Sequence, residues 1–173
     1  MKSLHKATLF LTLCFGLLFA GAFPAAAAGL TDYAENKAVD ALMRGQSLAA
    51  PASFWLGFNT DTCADAGNGT EPSGNGYSRI QITSSLANWA GTQGAGTTAV
   101  SSGTGAVTSN NATISLPTST GAWGTGQSLR LYDASTSGNA WICINLNSTI
   151  SVTGANYTVS FPAGSIVIDL DTD

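Results

Sequence analysis

Between residues 112 and 161 one pattern recurs four times, and it limits the folds open to the chain. Ile114 and Leu116 alternate with Thr113 and Ser115, the spacing of a strand with one buried face. Residues 117–121 (PTSTG) then break the run with turn formers. Further alternating runs follow at 128–133, 140–146 and 157–161, each set apart by a Gly, Asn or Ser cluster. Short strands divided by turns in this way build sandwiches or barrels. Scarce charge, at 9% of residues, favours strands and tight turns over surface helices.

The N-terminus has a different origin. Lys2, His5 and Lys6 form a basic start, residues 7–22 are apolar, and Pro24 leads into four alanines with an Ala-x-Ala cleavage pattern. That is the form of a secretory signal peptide, residues 1–28, cut near Ala28. The apolar run is short of the roughly 20 residues that a membrane span needs. Leu13 before Cys14 argues against a lipid-modified cysteine. Removing 28 residues leaves 145 of the 173, enough for one packed core. Four basic side chains (Lys37, Arg44, Arg79, Arg130) then face ten acidic ones, a net charge of −6. Such a surface offers no basic patch for nucleic acid. Cys63 and Cys143 are the cysteines that remain, and in an exported protein a disulfide between them is the leading reading. Two unpaired small hydrophobes are the other.

The spacing predicts one helix, over 30–44 within an N-terminal segment 29–50. Thr31 is its N-cap, Asp32 and Glu35 lie in the first turn, and Gly45 stops it. Tyr33, Val39, Leu42 and Met43 carry its larger apolar surface. It either packs across the end of the β domain or docks onto another protein. The β domain covers 51–173. Residues 54–58, apolar on both faces, form a central strand. Residues 60–76 form a long polar loop. The run 77–83 puts Ile80 and Ile82 on one face and Arg79 and Gln81 on the other. Residues 91–105, made of small residues, are a flexible loop or a thin hairpin. The run 166–170 turns Ile166, Ile168 and Leu170 inward. The expected fold is all-β: an antiparallel sandwich or barrel-like domain of about seven to eight short strands after one helix.

Catalytic chemistry finds little support. His5 is the one histidine and leaves with the signal peptide, so the mature chain has no Ser-His-Asp triad and no imidazole metal ligand. The Gly-x-Gly pairs lack the third glycine of a dinucleotide fingerprint. Asp169, Asp171 and Asp173 share one side of an extended chain and suit Ca²⁺ in principle, but a solvated strand end is the stronger reading. Asp61, Asp65 and Glu71 form a second acidic group whose spacing fits no calcium loop. Any two of ten acids could be paired for glycoside hydrolysis, but none has a pocket in sequence. Trp55, Trp89, Trp123 and Trp141 form either a sugar platform or, more commonly, core. Asn68, Asn111, Asn147 and Asn156 begin Asn-x-Ser/Thr sites that a chain rich in Asn and Thr produces by chance.

Six stretches carry a resemblance: 30–45 (LTDYAENKAVDALMRG), 51–58 (PASFWLGF), 69–79 (GTEPSGNGYSR), 116–124 (LPTSTGAWG), 131–134 (LYDA) and 161–169 (FPAGSIVID). In this order the chain resembles the short phage proteins known as tail-fibre-like virion proteins. That resemblance implies a non-enzymatic structural or attachment subunit, without cofactor or metal, whose partners are other virion or surface proteins or further copies of itself. Such phage proteins normally lack an export signal, and this chain departs from them there. A secreted module that binds a carbohydrate or cell-surface glycan is the alternative, and a secreted carboxylate-based hydrolase a lower one. The chain is expected outside the cytoplasm, free of nucleic acid and, once cleaved, of membrane, or in a virion if the family holds.

Overall fold

Period-2 alternation becomes strand pairing in the computed structural model, which describes residues 25–103 and 105–170. Residues 1–24, Asp171 and Asp173 lie outside the described part, and with them most of the expected signal peptide and two members of the C-terminal acidic triplet. The described residues form nine strands and one helix: β1 (Ala25–Leu30), α1 (Asp32–Met43), β2 (Ser53–Asn59), β3 (Ile80–Thr83), β4 (Val107–Ser109), β5 (Ile114–Ser115), β6 (Gly124–Tyr132), β7 (Ala140–Val152), β8 (Ser160–Phe161) and β9 (Val167–Asp169). All pairings are antiparallel. The all-β expectation therefore holds, with nine strands in place of seven or eight.

The larger sheet has the order β1-β7-β6-β2-β3. Its register stacks like with like. Phe58 pairs with Leu129 and Leu129 with Ile144, while Leu56 pairs with Leu131 and Leu131 with Ile142. All but the half-buried Ile142 are removed from water, and each full burial stabilises by about 1.5–3 kcal/mol. β2 lies between β6 and β3, as its two apolar faces predict. β7 is longer than the 140–146 run implies. It continues through the polar residues Asn147, Ser148 and Thr149, and its pairing with β6 slips at Gly126/Ser128 and at Leu131/Tyr132. At the first slip Gly126 packs against Phe58, and a Cβ there would sit 2.0 Å from the ring. Only glycine fits.

The facing layer is one ribbon broken in the middle. β4 pairs with β9, and β5 with β8. Asn110, fully buried at the break, joins the two halves. Its backbone N–H donates to Ile166 O and its carbonyl accepts from Gly164 N–H. Its amide donates to Ala112 O and Pro162 O, and its Oδ1 accepts from Ile166 N–H at 2.8 Å. One side chain thus closes a gap where strand pairing fails. Ile114, Leu116, Val159, Phe161, Ile166 and Ile168 turn inward and complete the core against the large sheet.

Two expectations are corrected here. Leu170 is 45% exposed, because β9 ends at Asp169 and the side chain leaves the sheet with the chain. The 157–161 run pairs as a strand only at its end. Tyr157 is exposed because the Ser119 hydroxyl and carbonyl bind the 156–157 backbone in a turn. The Trp89 backbone bridges to Asn110. β1 was not foreseen. Four successive alanines show no alternation, yet this segment pairs with β7 along the sheet edge.

Candidate functional site

The outward face of the large sheet is covered by the polar loop 60–76, which fixes a cluster of charged and aromatic side chains. Arg130 alternates with Leu129 and Leu131 on β6, so it points away from the core, and the loop seals it completely. It grips Asp61 with two parallel contacts, Nη1–Oδ1 3.0 Å and Nη2–Oδ2 3.3 Å, and donates to Thr62 O. Gly69, at φ +68°, makes room: a Cβ there would overlap the guanidinium. Burial raises the Asp61 carboxyl, but the Arg130 hydrogen bond, the Thr70 N–H and the Arg130 charge outweigh it and hold it below its ordinary value.

Arg79 forms a second clamp. The alternation of 77–83 places it with Gln81 on the face opposite Ile80 and Ile82, and there the side chain is buried. Its Nη2 lies 2.6 Å from Glu71 Oε2, and its Nη1 donates to Ala134 O and Ser137 O. The guanidinium stacks 3.3 Å from the Tyr132 ring centroid. Tyr77 donates to Glu71 and accepts from Phe58 N–H, beyond the last residue that β3 pairs. Burial and the Glu71 carboxylate push the Tyr77 hydroxyl far up, so it stays a neutral donor. Tyr132 is likewise raised, chiefly by burial, and donates to Asn68 O. Gly57 is again a space requirement, since a Cβ would lie 2.7 Å from Glu71 Oε1 and from the Tyr132 ring.

Cys63 and Cys143 form a disulfide, with Cα atoms 5.6 Å apart, that ties the same loop to β7. Cys143 stands opposite Arg130 on the sheet, so the bond anchors the loop beside its ion pair.

Both carboxylates bind arginine, and the thiols are spent on the disulfide. The acidic residues singled out in sequence are not brought together: Asp61 binds Arg130, Glu71 binds Arg79, and Asp65 lies near the start of α1, its carbonyl accepting from Asp32 N–H. Asp65 shares a hollow of about 270 Å³ with Glu35 and Asp169, but among the described residues no group of acids, histidines or cysteines is arranged to hold a metal ion. The tryptophans are dispersed. Trp123 and Trp141 are buried, while Trp55 and Trp89 are half-buried on different elements. They form no common platform.

An exposed apolar stripe lies on α1. Thr31 caps the helix as expected, with its hydroxyl oxygen accepting from Ala34 N–H. Its own O–H donates to Ala140 O, which fastens the cap to β7. Ala34 is buried and Tyr33 meets Trp141 edge-on at 5.5 Å. The helix is thus held by its first turn and one side. Val39, Leu42 and Met43, three and four residues apart, line the other side, and Leu42 and Met43 are 80% and 82% exposed. Leu48, beyond the helix, is exposed as well. Sequence gave their hydrophobicity but not their direction, because the alanines Ala34, Ala38 and Ala41 form the inner side and carry little signal.

A family model described as Podophage GP4 fiber I protein gp80 matches residues 29–169. No curated protein matches the chain.

Proposed function

The chain belongs to the Podophage GP4 fiber I protein gp80 family, and from that premise we propose that it is a non-catalytic structural or attachment subunit of a phage virion that joins other copies or other virion proteins through α1. The observation that carries the α1 assignment is the Val39–Leu42–Met43 stripe, large aliphatic surface left in water on a helix whose opposite side is already satisfied. The absence of catalysis is supported by the arginine-neutralised carboxylates and by the lack of histidine after residue 5. Light scattering on purified residues 29–173 tests the assembly. A stable oligomer that Leu42→Glu or Met43→Glu converts to monomer is expected; a monomer at every concentration reached overturns the self-association.

Export before assembly is part of the same reading. The disulfide supports it, since such bonds form and persist in oxidising compartments. The matched span opens at Gly29, the residue after the expected cut. A cut after Ala28 leaves Gly29 opposite Cys143 and Leu30 opposite Ile142, so β1 keeps its final pairs. Intact mass of the exported protein is expected to give a chain that starts at Gly29; a mass that retains residues 1–28 overturns this.

A further inference from the structure

The two layers differ in width, and the difference leaves a cleft. Strands lie about 4.8 Å apart, so five span about 19 Å from first to last and two only about 5 Å. The β4–β9 ladder cannot cover the whole inner face of the large sheet, and β9 contacts β1 at one side of it. Toward β2 the cover passes to loops. The 91–105 segment lacks bulk, and its one large aliphatic side chain, Val100, is 74% exposed. What stays open is a cleft of about 440 Å³, within the range of small-molecule sites.

Its walls come from both layers: Phe54, Leu131 and Ile142 of the large sheet, Ile168 of β9, and Leu86 and Trp89 of the intervening loop. Among the described residues, no charged one lines it. The rim is held in place. The Ser84 hydroxyl donates to Pro51 O, the Thr108 hydroxyl donates to Ala90 O, and Ser101 Oγ accepts from Thr92 N–H. Gln93 donates to Val100 O and Ser102 Oγ, which ties the small-residue loop across. Sugars need convergent polar planar groups, and carboxylates or phosphates need a cation; the cleft supplies neither. We propose that it binds a neutral, mainly apolar small molecule or acyl-type group. The inference stands apart from assembly through α1.

The test is a titration of purified protein with N-phenyl-1-naphthylamine, a neutral probe that brightens on leaving water. Saturable 1:1 binding is expected, displaced by 1-octanol and not by glucose. Leu86→Glu on one lip, and Ser101→Glu on the other, each weaken it at least tenfold; both positions are solvent-facing, and far-UV circular dichroism checks their folding. Met43→Glu, on the separate helix stripe, leaves it unchanged. Non-saturable binding, displacement by glucose alone, indifference to both lip variants, or loss of binding in Met43→Glu overturns the proposal.

Discussion

Arg130 shows how a single position can be half readable. Its place between Leu129 and Leu131 assigns it to the outer face, which is correct, yet that face is not solvent. The cover comes from residues 61–69, about seventy positions earlier, and no local pattern reports it. The consequence is measurable. Asp61→Ala leaves a sealed guanidinium without its counter-ion and is expected to cost about 3 kcal/mol in urea unfolding, at the low end for a broken buried pair because Asp61 itself reaches solvent. The pH dependence has a fixed sign. Asp61 and Asp133 both lie below their ordinary 3.8 when folded: burial raises each, but Arg130 for one, and the Asn139 and Trp141 donors for the other, prevail. Their stabilisation is complete above 3.8 and is lost as pH falls through the folded values. Asp133→Asn is therefore expected to flatten the acid limb of the stability curve below about pH 4; an unchanged limb refutes the assignment.

Among the elements, β6 and the first half of β7 were legible because Leu129, Leu131, Ile142 and Ile144 repeat with a strict period. The broken ribbon was not. Asn110 reads locally as a turn residue beside Asn111, and its role appears only when residues 161–166 fold back to it. Asn110→Ala removes one acceptor and three donor contacts from a buried site. It is expected to destabilise by about 2–3 kcal/mol and to leave the Ile166 N–H unpaired. Loss of amide-exchange protection at Ile166 and Gly164, with protection kept in β6, is the pattern that checks it.

For the molecule as a whole, strand periodicity and the Gly/Ser/Thr composition sufficed for an antiparallel all-β domain, and the fibre family followed from motifs spread along the chain. The unequal layers, and so the apolar cleft, lay beyond sequence because they depend on which strands pair. The disulfide spans 80 positions and includes most of the sandwich. On the loop-entropy account it contributes about 4.5 kcal/mol through the unfolded state. Cys63→Ser/Cys143→Ser is expected to lower the thermal midpoint substantially; a shift of a degree or less contradicts that.

The small-residue segment 91–103 lies inside the span that the Cys63–Cys143 bond encloses. A protease that nicks the chain there cannot release either piece. The cut protein should migrate as one band on a denaturing gel until a thiol is added, and only then as two.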